Sequence, residues 1–440
     1  MGAEQRQLSL GAFLMNYGHH IAAWRHPGSA GVGAVDYAFY KRCTQAAERG
    51  KFDMVFLADN NSIPLIEDLQ TNVSFLQPEA LTMLSSLAGV TEYVGLASTA
   101  STTFNEPYAL ARRLSTLDHI SGGRAAWNVV TSTKDAEARN FGSAVLMEHG
   151  KRYERAEEFL QAVTGCWDSW EDDALVLDRQ RAVFADTTRI HRVHHEGAFF
   201  KVEGPLNMPR SPQGRPVIIE AGTSEAGRRL AAQTADVVFT ACESKEDAIR
   251  YYREFKDLLK EYGREGEEVK VLPGLLIFLG ESEAEALAYH RTFSELIVPE
   301  AGVKYVSQLL NADLTGYPVD GPLPDLPREG NSSRAIMIMD MAAKSGMSIL
   351  ELGRHYAVSR GHMTMIGTPQ QIADRIEDWF RSRACDGFNI MAPLLPGGLE
   401  QFVDRVVPLL QQRGVFREDY TGRTLRDHLG LIRPKTQHEK

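Results

Sequence analysis

Eight short runs rich in β-branched, aliphatic and aromatic residues recur along this 440-residue chain, and each is followed by a stretch with helical patterning. No other feature constrains the fold as strongly. Strands are predicted at 8–16 (LSLGAFLMN), 52–59 (FDMVFLAD), 94–102 (VGLASTAST), 124–132 (RAAWNVVTS), 216–222 (PVIIEAG), 236–241 (DVVFTA), 269–279 (VKVLPGLLIFL) and 387–393 (GFNIMAP). Helices are predicted at 35–49, 78–90, 107–120, 153–167, 224–234, 245–262, 283–296 and 399–413. Such alternation implies parallel βαβ units. Eight of them predict an α/β fold, a (β/α)8 TIM barrel occupying residues 1–440 as a single domain. A doubly wound parallel sheet uses the same elements and is the alternative. A barrel of this kind typically needs about 250 residues, so the surplus is assigned to two insertions, 169–215 and 299–367. The first reads as a hairpin (AVFADTTRIHRVHHEGAFFKVEG). The second carries the Pro/Gly-rich piece TGYPVDGPLPDLPREGNSS and reads as a lid or a solvated loop.

Composition narrows the function classes. No apolar run approaches the roughly 18 residues of a membrane helix, and the N-terminus lacks a signal-peptide layout, so a cytoplasmic protein without a membrane partner is expected. A net charge of −10 without a dense basic run argues against nucleic acid. Cys43, Cys166, Cys242 and Cys385 are far apart and form no CxxC pair, which suits a reducing compartment and no structural zinc.

In a barrel, chemistry belongs at the C-terminal strand ends, and here those ends are polar. The second strand ends in Asp59-Asn60-Asn61, the third in Thr99 to Thr103, and the fourth delivers Asn128, Thr131 and Ser132. Alternation puts Thr99 and Ser101 on one face. Asp, Asn and Ser also favour ordinary turns, which is the plainer reading. The fifth strand ends in Gly222-Thr223-Ser224 directly before a helix, where free N–H groups and a hydroxyl favour an anion such as phosphate. A simple Ser N-cap explains the same residues. His149 and Tyr153, four apart, share a face if a helix starts there, and both can donate hydrogen bonds. His19, His20, Trp24, Arg25 and His26 follow the first strand, without the HExxH spacing or acidic partners of a metal site. No P-loop, no GxSxG elbow and no GxGxxG after a strand is present, so no nicotinamide domain is visible.

The blocks NYGHHIAAWRHP, GKFDMVFLADN, TASTTFNEPYALARRLSTLDHISGGRAAWNVVTS, EARNFG, KRYERAEEF, SPQGRPVIIEAGTSEAGRRLAA, DGFNIMAPLLPGG and TLRDHLGL resemble the nitrilotriacetate monooxygenase component A family. This is a branch of the bacterial luciferase-like flavin monooxygenases that includes dibenzothiophene sulfone, dimethyl sulfide and long-chain alkane enzymes. The resemblance implies a luciferase-like barrel that uses reduced FMN (FMNH2) from a separate NAD(P)H:flavin reductase. It implies reaction with O2 through a flavin C4a-(hydro)peroxide and oxygenation of a small organic substrate, an organosulfur compound or an aminopolycarboxylate, with C–S or C–N cleavage. A flavin-binding barrel without oxygenase turnover is the alternative, and a homo-oligomer is expected. By the same resemblance Asp59, Thr99, Ser101, Asn128, His149 and Tyr153 are flavin-site residues, Thr223 and Ser224 phosphate ligands, and His20 and Phe56 substrate-side residues. His20 is also the catalytic candidate, for substrate orientation or proton transfer. The alkane branch carries a His near the end of strand four where this chain has Ser132 and Thr133, which argues against alkane hydroxylation.

Overall fold

The computed structural model describes residues 6–29, 35–63, 66–222, 224–327 and 333–438. In chain order the first half holds β1 (Ser9–Leu14), α1 (Tyr37–Arg49), β2 (Met54–Leu57), α2 (Ala80–Ala88), β3 (Gly95–Ser101), α3 (Pro107–Ile120), β4 (Ala125–Val130), α4 (Asp135–Asn140) and α5 (His149–Trp167). Two short antiparallel ribbons follow: β5 (Leu175–Asp178) with β6 (Val183–Ala185), and β7 (His195–Glu196) with β8 (Lys201–Val202). The first insertion is thus two hairpins rather than one. The barrel resumes with β9 (Val217–Glu220), α6 (Glu225–Thr234), β10 (Val237–Thr240), α7 (Lys245–Glu261), β11 (Lys270–Leu279) and α8 (Glu283–Glu295). The second insertion contains α9 (Pro299–Leu310), α10 (Ser333–Ser345), α11 (Ile349–Ser359) and β12 (Met363–Gly367). After it come α12 (Pro369–Arg381), β13 (Gly387–Met391), α13 (Gly397–Arg405), α14 (Val407–Gln412) and α15 (Leu425–Leu429).

The parallel strands run β10-β9-β4-β3-β2-β1-β13-β11, and the β10–β11 pairing closes the ring into an eight-stranded barrel. Closure rules out the doubly wound sheet, which keeps two free edges. The strands read as continuous apolar runs because both their faces are buried. Phe13, Met54, Phe56, Ala97, Ala126, Val217, Ile219, Val237 and Leu272 fill the interior. Their strand neighbours Ala12, Val55, Leu57, Leu96, Trp127 and Ile218 face the helices. This is the period-two alternation of a strand, used twice.

The second insertion is largely helical, contrary to the loop its Pro/Gly-rich piece predicts. Val303, Val306, Leu310, Ile338, Ile349, Leu352 and Tyr356 give it an apolar cluster of its own. Its last element, β12, is a strand beyond the predicted eight. Leu275 and Leu276 of β11 pair with β13 and β12 at once. Therefore β12 occupies the edge on which β10 stops at the Thr240–Pro273 pair. Pro273, which has no N–H to give, sits at this changeover. The insertion thereby extends the barrel wall on the C-terminal side. One predicted helix is also split: α13 stops at Arg405 and α14 starts at Val407, with Pro408 in its first turn.

Candidate active site

The polar residues at the C-terminal strand ends gather into two neighbouring groups. The first lies where β9 turns into α6. Ser224 is the N-cap, accepting from the Gly227 N–H at 3.2 Å, and its hydroxyl donates to Tyr153 Oη at 3.4 Å. Gly222 lies so close to the helix that a Cβ there would be 2.8 Å from Gly227 Cα. Helix α5 starts at His149, earlier than predicted, so His149 lies one turn before Tyr153 with ring centroids 5.0 Å apart. His149 is exposed and Tyr153 half-buried. Thr223 lies outside the described residues.

The second group spans β2, β3 and β4. Thr99 Oγ1 donates to the Leu57 carbonyl at 2.8 Å and accepts from Asn128 Nδ2 at 2.9 Å. Asn128 Oδ1 is buried without a hydrogen-bond partner. The Ser101 and Ser132 hydroxyls lie 2.9 Å apart, and Ser132 donates to Glu137 Oε1 at 3.2 Å. Glu137 also accepts from the Asn61 and Thr133 N–H groups. Ser132 has φ 56°, an uncommon backbone for a non-glycine residue, and Arg152 donates to its carbonyl. Asp59 accepts from the Ala80 N–H at 3.1 Å, and burial, reinforced by Glu79 and Glu137, pushes its carboxyl up to about 6. Asp59, Thr99, Ser101, Ser132 and Glu137 line one cavity of about 240 Å³.

Phe56 sits deeper in the barrel, its ring centroid 4.8 Å from Phe13 and 5.8 Å from Phe239. His20 does not join that cluster. Its ring packs edge-on against Phe293 of α8 at 5.0 Å, and Nδ1 accepts from the Ala22 N–H at 3.2 Å. Burial, with His290 and His26 nearby, lowers His20 to about 3, so at neutral pH the ring is uncharged and offers Nε2–H as a donor. It is His19 that approaches Phe13, at 4.6 Å, while His362 from the second insertion stacks on Phe239 at 5.3 Å. Burial, Arg360 and His362 together hold His19 well below the usual imidazole range. Arg25 is exposed and donates to the Leu296 carbonyl.

Sequence reasoning missed Glu137, His362 and Arg360. The EARNFG block held a signal for Glu137, but Arg360 and His362 follow no predicted strand. Among the described residues, no group of three or more His, Cys, Asp or Glu side chains is placed to hold a metal ion.

The family described as luciferase-like monooxygenase matches residues 15–386. The chain is 45% identical to N-acetyl-S-(2-succino)cysteine monooxygenase of Bacillus subtilis (strain 168), with 100% of each chain covered. It is also 45% identical to nitrilotriacetate monooxygenase component A of Aminobacter aminovorans, again over 100% of each. A crystal structure of riboflavin lyase with a modified FMN and riboflavin superposes with a TM-score of 0.85 at 28% identity, covering 97% of this chain and 96% of that one.

Proposed function

This chain belongs to the luciferase-like monooxygenases, a family of flavin-dependent monooxygenases, and from that premise we propose that it is the oxygenase component of a two-component system. It takes reduced FMN from a separate NAD(P)H:flavin reductase and uses O2 to oxygenate a small organic substrate, with C–S or C–N cleavage as the outcome. One relative is itself named as component A, which supports a separate partner. The whole chain acts as one enlarged barrel.

The observation that carries this reading is the pairing of an anion-ready helix start with a polar cavity at adjacent strand ends. Ser224, Tyr153 and the free N–H groups of α6 suit a phosphate, with His149 beside them, and the family resemblance adds Thr223 as a phosphate ligand. Asn128, whose buried Oδ1 lacks a partner, suits the edge of a flavin ring together with Thr99, Ser101 and Asp59. When bound, reduced FMN supplies the electrons that activate O2, and the protein's part is to orient it and exclude water. Phe56 packs the substrate side. His20 is neutral at working pH and turns to Phe293, so it supplies no proton, and the orienting role on the substrate side passes to the adjacent His19.

Stopped-flow mixing of the protein and reduced FMN with oxygenated buffer tests the assignment. A transient flavin absorbance, distinct from both reduced and oxidised FMN and longer-lived than in free solution, is expected. Direct conversion to oxidised FMN at the free-solution rate would leave only a flavin-binding protein.

A further inference from the structure

The second insertion delivers a charged residue to the barrel mouth that the mechanism above does not use. Helix α11 ends at Arg360, whose φ of 51° and ψ of 26° lie in the left-handed region. For an arginine that backbone is uncommon and held by its surroundings. The turn sends the chain into His362 and β12, and the register of β12 on β11 fixes it against the barrel. Arg360 Nη1 thereby comes within 3.1 Å of Met15 Sδ, at the end of β1, and its charge acts on His19. His19 is 4% exposed, and both of its ring nitrogens lack a hydrogen-bond partner. Buried imidazole nitrogens without partners are rare in native proteins unless something not yet bound satisfies them. Around them the walls are aromatic: Phe13, Phe56 and Phe239 lie within 6 Å of one another by ring centroid, and His362 stacks on Phe239.

We infer that Arg360 and His19 form a carboxylate-binding subsite at the barrel mouth, so that the substrate is an organic acid whose carbon skeleton lies on the Phe13–Phe56–Phe239 surface. A guanidinium matches the two oxygens of a carboxylate in a planar fork, and His19 offers one further donor. A neutral sulfone or thioether brings no charge to meet Arg360. The subsite is assembled from residues more than 340 positions apart, one on the loop after β1 and one in the second insertion. This makes the insertion a specificity element and not only a cover. The inference rests on the flavin-monooxygenase reading for the identity of the site, but not on any step of the reaction.

Calorimetric titration of the full-length protein in metal-free buffer tests it, using nitrilotriacetate, succinate and benzoate as probes and their methyl esters as neutral controls. At least one acid should bind wild type tenfold or more tightly than its ester. Arg360→Met should weaken that acid at least tenfold without changing the ester. Arg360→Lys should keep an intermediate affinity, and His19→Asn should weaken the acid less than Arg360→Met. FMN affinity and the unfolding midpoint, measured on the same samples, should not move. If no acid outbinds its ester in wild type, or if Arg360→Met binds the acid as wild type does, the subsite is wrong. Failure of wild type to bind FMN would instead overturn the flavin reading and leave the carboxylate result to stand alone.

Discussion

The two ends of the barrel use their buried polar groups differently. At the N-terminal end, acids bind the first N–H groups of neighbouring strands and are locked by cations from distant parts of the chain. Asp53 accepts from the Leu10 N–H and pairs with Arg417, both at 2.6 Å. Asp236 accepts from the Ile218 N–H at 2.9 Å and pairs with Arg426 at 2.8 Å. Asp386 accepts from the Val271 N–H at 2.9 Å and pairs with Arg6 at 2.7 Å. Arg124, 2% exposed, donates to the Ala88, Thr91, Ser121 and Val94 carbonyls. At the mouth, His19, His20 and Asn128 keep buried polar atoms without partners. Single atoms at the first end, such as Gln213 Oε1 and Arg215 Nε, also lack partners. The side chains that carry them are otherwise engaged in holding strands together, whereas at the mouth both ring nitrogens of His19 are left over. Cavity size does not make this distinction: a cavity of about 700 Å³ opens at the N-terminal end, beside Arg215, Asp236 and Arg426.

The comparison breaks most visibly if the N-terminal pairs prove dispensable. Arg426→Met removes both guanidinium hydrogen bonds from the largely buried Asp236 carboxylate and leaves Arg215 as its nearby cation. Losing one partner of a buried pair costs about 3–5 kcal/mol. Urea unfolding should report that loss, with FMN affinity of the folded protein unchanged. A loss below about 1 kcal/mol would mean that the ion pair does little for the fold. Ser224→Asp should do the reverse. Asp caps a helix about as well as Ser, so unfolding should shift by less than about 0.5 kcal/mol, while the added charge beside the phosphate weakens FMN binding by roughly tenfold or more. Unchanged FMN affinity would remove this helix start from the site.

A third test concerns Asp59, whose carboxyl is lifted from 3.8 to about 6. The folded protein therefore binds this proton more tightly than the unfolded chain does. Its contribution to stability is fully present below about pH 4 and is lost as pH rises through about 6. Asp59→Asn should flatten the urea midpoint across that window. A wild-type midpoint that rises relative to the variant between pH 4 and 6 would contradict the sign.

Much of the barrel was legible because its signals are local. Each of the eight predicted strands overlaps an observed one, and α3 matches its predicted limits. The helical pattern predicts a start at Tyr153, yet α5 begins at His149, where Glu148 caps it at the Gly150 N–H. The strand β12 (MTMIG) was missed because five residues following a helix give too short a pattern to stand out from a loop. The TLRDHLGL block proved to be structural, since its Arg426 locks Asp236 at the end away from the mouth. The family resemblance points to His20, and the sequence cannot say which of two adjacent side chains turns inward. The Phe13 and Phe293 contacts make that choice.

By itself the sequence determined the alternation of strand and helix, the two apolar faces of each strand and the polar character of the strand ends. All of these depend on residues within a few positions of one another. Tertiary structure alone decided that β10 meets β11 to close the ring, that the second insertion is helical with a strand at its end, and that Arg360 reaches Met15 across the chain. Those outcomes are choices among non-local partners, made by packing and hydrogen-bond satisfaction, and periodicity carries no record of them.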